Sequence, residues 1–259
     1  MIVTNSGCVG DVLLGDCVEI MKMFGDESID LTVTSPPYDN LRTYNGFIFD
    51  FEKVARELYR ITKTGGVVVW NVADATIDGN ETGSSFKQAL FFKEIGFRLH
   101  DTMIWVKPNP VPTQHTRYQN AFEYMFVFSK GSPKSTNLLR EPSKNAGQIK
   151  KKHRSTGGRH DNNAEGFYIT KDTKIKNNYW SIPVGDSGSR KHPAAYPETL
   201  ARDHILSWSN VGDLIFDPFT GSGTTGKMAL IENRNFIGCE ISTDYLKIAE
   251  SRIHKALSC

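Results

Sequence analysis

Leu214-Ile215-Phe216-Asp217-Pro218-Phe219-Thr220-Gly221-Ser222-Gly223-Thr224-Thr225-Gly226 is the stretch that decides the fold of this 259-residue chain. An apolar run of strand length enters a glycine-rich turn, and Met228, Ala229 and Ile231 continue it at helical spacing. Gly221, Gly223 and Gly226 satisfy the spacing G-x-G-x-x-G. Glycines there permit a tight turn and close approach of a ligand to the backbone, with a helix N-terminus behind it. Phe236-Ile237-Gly238-Cys239 reads as the next strand and ends on Glu240. A carboxylate at that strand end can accept hydrogen bonds from both hydroxyls of a ribose. Strand, turn, helix, strand and acid in this order point to a nucleoside-cofactor site. The pattern alone serves a dinucleotide or S-adenosylmethionine, and the same turn also occurs as a plain structural turn.

Outward from this stretch, residues 31–34, 67–72, 97–107 and 121–128 read as strands. Residues 51–62, 86–95, 198–208 and 245–256 read as helices, the first closed by Gly65-Gly66 and the second by Gly96. Strands alternating with helices predict an α/β domain with a mostly parallel sheet. The segment 131–186 breaks the rhythm and shows no sustained period. It divides the chain into a first half over 1–130, an insertion over 131–186, and a second half over 187–259.

Composition is that of a globular protein, 39% apolar, 23% charged and 11% aromatic. No apolar run approaches the ~18–20 residues that a membrane helix needs. Met1-Ile2-Val3-Thr4-Asn5 lacks the basic and apolar regions of a secretory signal. Cys8, Cys17, Cys239 and Cys259 show no CxxC spacing, which argues against zinc and against a disulfide framework. His153 and His160 have no partner set for a metal, so none is expected, and a reducing cytoplasm is the simplest compartment.

The net charge is only +2, but it is unevenly placed. Residues 131–190 carry twelve Lys/Arg against five Asp/Glu, a net of +7, which leaves −5 on the rest of the chain. The densest part runs from Lys150 to His160. A solvated surface loop is one reading; an arm that displaces counterions from nucleic acid is the other.

Ser35-Pro36-Pro37-Tyr38 closes the predicted strand 31–34. As a rigid turn it needs no further explanation. Chemically it offers more. Pro37 commits the residue before it to an extended backbone. Neither proline has an N–H, Ser35 supplies a hydroxyl, and Tyr38 supplies a flat face. Such a turn can grip an exocyclic amine and stack its ring.

Thr34-Ser35-Pro36-Pro37-Tyr38 resembles the catalytic motif of DNA amino-methyltransferases, and Asp217-Pro218-Phe219-Thr220-Gly221-Ser222-Gly223 resembles their S-adenosylmethionine motif. Two further stretches match: Gly15-Asp16-Cys17, where the family places an acidic contact to the cofactor adenine, and Lys191-His192-Pro193-Ala194-Ala195-Tyr196-Pro197, which is similar to the segment closing over the methionine end. The catalytic motif precedes the cofactor motif, as in the β group of the family. The matches run from Gly15 to Glu240; residues 131–186 have no counterpart.

The resemblance implies a circularly permuted, Rossmann-like class I methyltransferase sheet with an inserted basic target-recognition region. It implies Ser35, Pro36, Pro37 and Tyr38 as the catalytic turn. Asp16, His192, Pro193, Asp217, Phe219, Gly221, Gly223, Thr224 and Glu240 become contacts to S-adenosylmethionine. Judged alone, Asp16 equally caps a helix, Thr224 and Thr225 equally cap the helix after the turn, and Asp217 equally fixes the turn. With a DNA substrate implied, Lys150, Lys151, Lys152, Arg154 and Arg159 are phosphate ligands, and Asn, Gln, Arg and Ser nearby are readers of base edges.

Cytosine N4 and adenine N6 are poor nucleophiles that lie paired inside a duplex, so the base must be flipped out. Tyr38 would then stack on the ring, while Ser35 and the Pro36 carbonyl accept hydrogen bonds from the amine. In the family, Ser before Pro-Pro goes mainly with cytosine N4, which is favoured here over adenine N6. Ring-carbon methylation of cytosine needs a thiolate after proline, and no cysteine here follows one.

The competing readings are a nicotinamide-dependent oxidoreductase, which leaves Ser35-Pro36-Pro37-Tyr38 and the basic segment unexplained, and a non-catalytic DNA-binding protein. An RNA substrate also stays open. The resemblance implies a bacterial, cytoplasmic and nucleoid-associated enzyme of a restriction–modification system, acting on double-stranded DNA, with or without a cognate restriction endonuclease on the same site, monomeric or homodimeric, and with no membrane association.

Overall fold

The computed structural model describes residues 2–4, 7–37, 49–110, 112, 117–151, 167–184 and 196–257. Two compact units emerge: Met1–Asn137 with Asn178–Cys259, and Leu138–Asn177.

In the first unit the strands are β1 (Ile2–Val3), β2 (Val9–Leu14), β3 (Ile29–Thr34), β4 (Thr62–Val72), β5 (Thr76–Ile77), β6 (Asn80–Glu81), β7 (Arg98–Val106) and β8 (Phe122–Ser129). After the second unit come β13 (Tyr179–Ser181), β14 (Leu214–Asp217) and β15 (Asn235–Glu240). The helices are α1 (Cys17–Met21), α2 (Phe51–Ile61), α3 (Ser84–Glu94), α4 (Glu198–Trp208), α5 (Thr224–Ile231) and α6 (Thr243–Leu257). Among the described residues, nine strands form one sheet in the order β1-β2-β15-β14-β3-β4-β8-β7-β13. The strands from β2 to β4 are parallel; β8 runs antiparallel to both its neighbours.

That order shows the permutation. The C-terminal pair β14 and β15 lies between β2 and β3, which are consecutive in the chain. The fold is the mixed α/β class I methyltransferase sheet.

Local chemistry explains the elements. Asp50 caps α2 by accepting the Lys53 N–H at 3.2 Å, and Val54, Leu58 and Ile61 recur at helical spacing to bury one face. They join Phe92 of α3 and Val68, Trp70, Val72, Phe126 and Phe128 of the sheet in a single core. Trp70 is fully buried and donates its indole N–H to Gln88 at 2.8 Å, so the ring enters the core without an orphaned donor.

Several boundaries differ from expectation. Gly65-Gly66 does not close α2: β4 begins at Thr62, directly after the helix, and the two glycines sit in an irregularity of that strand. Gly65 has φ +84°, and a Cβ on Gly66 would lie 2.9 Å from the Lys63 carbonyl oxygen. β2 and α1 carry no strong periodic signal in sequence, because Gly10 and Asp11 interrupt the apolar run. Gly10 makes room for α5, since a Cβ there would crowd a Leu230 methyl group at 2.6 Å.

The second unit holds β9 (Arg140–Pro142), β10 (Ile149–Lys151), β11 (Phe167–Ile169) and β12 (Thr173–Ile175). β10 pairs with β11 and β12 with β9, each as an antiparallel ribbon. The unit is narrower than the aperiodic segment 131–186. β13, inside that segment, belongs to the large sheet and pairs in parallel with β7.

Candidate active site

β3 and β14 are parallel neighbours, with Leu31 opposite Ile215 and Thr32 opposite Phe216. Ser35-Pro36-Pro37 leaves the carboxyl end of β3, and Pro218-Phe219-Thr220-Gly221 leaves the carboxyl end of β14. The two turns therefore emerge side by side on the rim where open α/β sheets collect ligands. Ser35 is half-buried and Pro36 buried.

Asp217 joins the two turns. Its buried carboxylate accepts the Thr34 hydroxyl at 2.7 Å and the Phe219 N–H at 3.0 Å on one oxygen, and the Thr225 hydroxyl at 2.8 Å on the other. Tyr196, also buried, meets Thr225 through its own hydroxyl. Burial pushes the Asp217 carboxyl up to about 6 although three donors oppose the shift. The sequence alone assigns neither Thr34 nor Tyr196 to this hub. Their only sequence signal is that each adjoins or lies within a matched motif.

The glycine turn is shaped by close packing. Gly221 and Gly223 have φ +53° and +80°, the left-handed region where a side chain strains the backbone. Gly223 is the N-cap of α5 and makes no side-chain cap bond, so neither Thr224 nor Thr225 caps the helix. Thr224 is buried and receives the Arg252 guanidinium at 3.4 Å. Arg252 also binds the Ser222 carbonyl at 2.6 Å and Glu198 at 2.8 Å, which ties α4, the turn and α6 together. Phe219 stacks edge-on against Phe49, with centroids 5.4 Å apart.

Glu240 ends β15 beside the turn. One carboxylate oxygen accepts the Gly221 N–H at 2.8 Å, and the other accepts the Ser242 N–H at 2.8 Å. Burial raises its pKa above the ordinary glutamate range. Asp16, one strand further along the rim, is exposed and caps α1 through the Val18 and Glu19 N–H groups at 2.9 and 3.2 Å. Tyr38, His192 and Pro193 lie outside the described residues, as do Lys152, Arg154 and Arg159.

A family model described as DNA methylase, covering adenine-N6 and cytosine-N4 enzymes, matches residues 29–251. The chain belongs to the N6/N4 DNA methylase family. This methylase is 54% identical to the orphan methyltransferase M.BamHII of Bacillus amyloliquefaciens over 244 residues, 88% of this chain and 90% of the relative. It is 26% identical to the type II methyltransferase M.SmaI of Serratia marcescens, over 93% of this chain and 90% of that one. Among solved structures, the cytosine-N4-specific PvuII DNA methyltransferase superposes with a TM-score of 0.73 at 22% identity, covering 99% of this chain and 94% of that one. A putative DNA modification methylase from Thermus thermophilus, complexed with S-adenosyl-L-methionine, superposes with a TM-score of 0.68 at 23% identity, covering 96% of this chain and 95% of that one.

The cofactor of this methylase is S-adenosylmethionine. The rim fits it chemically. An ionised carboxylate offers about four lone-pair sites, and each Glu240 oxygen accepts a backbone N–H, from Gly221 or from Ser242, among the described residues. Gly223, the N-cap of α5, puts no side-chain cap on the first turn of the helix. Among the described residues no cluster of His, Cys, Asp and Glu is arranged to hold a metal, and no helix is long and apolar enough to cross a membrane.

Proposed function

We propose that this methylase modifies N4 of cytosine flipped out of double-stranded DNA, with Ser35, Pro36, Pro37 and Tyr38 as the catalytic turn. The observation that carries the reading is the Thr34–Asp217 hydrogen bond, which fixes the Ser35 turn beside the glycine turn on one rim. Glu240 accepts the ribose hydroxyls, and Gly221 and Gly223 give the backbone its close approach. Phe219, Thr224 and Asp217 shape the wall of that pocket. Asp16 reaches the adenine from its cap position, and His192 and Pro193 close the methionine end. Bound there, S-adenosylmethionine supplies an electrophilic sulfonium methyl group.

Ser35 Oγ and the Pro36 carbonyl accept hydrogen bonds from the target amine. That draws the nitrogen toward tetrahedral geometry and localises its lone pair. Tyr38 stacks on the flipped ring. Positioning does most of the work, because in-line attack by a held amine is effectively unimolecular. The proton leaves after transfer, when the amine is cationic, so no strong general base is needed.

The second unit carries ten Lys/Arg against four Asp/Glu over residues 138–177. In the β10–β11 ribbon, Ile149 faces Ile169 and Lys151 faces Phe167, and Ile149, Ile169 and Phe167 are about 70% exposed. A two-stranded ribbon fits the major groove, where apolar side chains meet thymine methyl groups. Lys150, Lys151, Lys152, Arg154 and Arg159 hold the flanking phosphates. M.BamHII of Bacillus amyloliquefaciens is named an orphan methyltransferase, which favours a bacterial enzyme without a paired endonuclease.

The test is incubation of the purified protein with S-adenosylmethionine and unmodified, mixed-sequence DNA, followed by nucleoside mass spectrometry. N4-methylcytosine is the expected product. N6-methyladenine would overturn the assignment of cytosine and the use of Ser35 to discriminate bases. No methylated nucleoside would overturn the proposed activity.

A further inference from the structure

A buried ionic chain lies on the same rim. Lys107, directly after β7, bonds one oxygen of Glu123 on β8 at 2.6 Å. The other oxygen accepts the Asn71 carboxamide N–H from β4 at 2.7 Å. Glu123 is buried and the Lys107 side chain is only 18% exposed, its ammonium 5.2 Å from the Trp105 ring centroid. Burying an ion pair costs free energy that an apolar pair would not. Stability alone therefore does not account for it.

Register places this chain beside Ser35. Thr34 pairs with Trp70, so the next residues along the two parallel strands are Ser35 and Asn71, at the inter-strand spacing of about 4.8 Å. Val68, Trp70 and Val72 face the core under α2 and α3, which puts Asn71 on the opposite face of the sheet. Glu123 shares that face, since Tyr124, Phe126 and Phe128 take the first, and Met125 meets His204 of α4. Chemistry then fixes the carboxamide. An ionised carboxylate only accepts, so Asn71 must turn its nitrogen to Glu123 and its oxygen away.

We propose that Glu123 is a positioning residue for methyl transfer. Paired with Lys107, it orients Asn71 so that the carboxamide oxygen is turned to accept the Ser35 hydroxyl proton when the target amine binds. A hydroxyl that donates to Asn71 presents its lone pairs to the amine. This inference rests on the proposed role of Ser35 and is indifferent to whether the base is cytosine or adenine.

The experiment is a double-mutant cycle read by single-turnover methyl transfer, with affinities for DNA and S-adenosylmethionine measured alongside. Glu123→Gln is expected to slow transfer about tenfold with both affinities within about twofold. In a Ser35→Ala background the same substitution is expected to add no further loss, because the hydroxyl it orients is gone. Independent, multiplying effects would overturn the proposal, as would a Glu123→Gln variant with unchanged rate. Asn71→Asp combined with Glu123→Gln exchanges donor and acceptor and keeps an oxygen toward Ser35. It is expected within about threefold of wild type, and it carries the test should Glu123→Gln alone fold poorly; a double variant as slow as Ser35→Ala overturns the proposal. A wild-type protein that methylates no DNA refutes the underlying role of Ser35, and this inference with it. Uncoupled variants of an active enzyme refute this inference alone.

Discussion

The Thr34 hydroxyl donates to the Asp217 carboxylate across 2.7 Å, between residues 183 positions apart in the chain. Each closes a strand, and each is followed at once by a turn of the proposed site. The bond therefore sets the spacing of the two turns more directly than any contact within either.

Thr34→Val keeps the side-chain shape and removes the donor. The Asp217 oxygen it served stays buried with one donor fewer, which costs about 1–3 kcal/mol. Urea denaturation should show that loss, and single-turnover transfer should slow in addition because the turns are no longer tied. A variant with wild-type stability and rate would show that the bond is incidental.

Asp217 also predicts a pH dependence. Its folded pKa of about 6 exceeds the ordinary 3.8, so the folded state holds this proton more tightly than the unfolded chain. The stability it contributes is fully present below the ordinary value and is lost as pH rises through about 6. Asp217→Asn has no such proton. The stability difference between wild type and Asp217→Asn should therefore shift against wild type as pH rises from about 4 to 6, measured by denaturant melts across that window. A difference that stays flat would contradict the burial argument.

Gly226 faces the Phe236 ring with no room for a methyl group. Gly226→Ala should cost about 1–3 kcal/mol by overpacking. Adding Phe236→Leu should recover part of the loss by vacating the space. Thermal melts of the single and double variants check both statements; an additive further loss would place the strain elsewhere.

Ser35→Ala should lower the single-turnover rate by roughly 10- to 100-fold, the worth of one hydrogen bond to a group becoming charged. Affinity for S-adenosylmethionine, read by calorimetry, should stay within about twofold. A parallel loss of cofactor affinity would move Ser35 from the amine to the cofactor pocket.

Lys150→Ala with Lys151→Ala should weaken binding to all DNA sequences alike. The slope of log affinity against log salt should fall by about two. An unchanged slope would remove these lysines from the phosphate contacts.

Sequence by itself determined the family, its cofactor and the class of fold. Strand, glycine turn, helix and Glu240 needed only local spacing, because period and turn chemistry are properties of neighbouring residues. Ser35-Pro36-Pro37 was legible for the same reason, as was the basic bias of the insertion. Local signals failed where the cause lay elsewhere in the chain. Gly65-Gly66 resembled a helix stop and is instead part of β4. The Val9–Leu14 strand was obscured by Gly10, whose missing side chain makes room for Leu230. Asp16 and Thr224 each admitted two roles: the fold uses Asp16 as a helix cap and assigns the cap of α5 to Gly223. Only the tertiary structure brought Thr34 to Asp217, and Asn71 and Lys107 to Glu123. Sheet order and register are set by packing between distant segments, which no local pattern encodes.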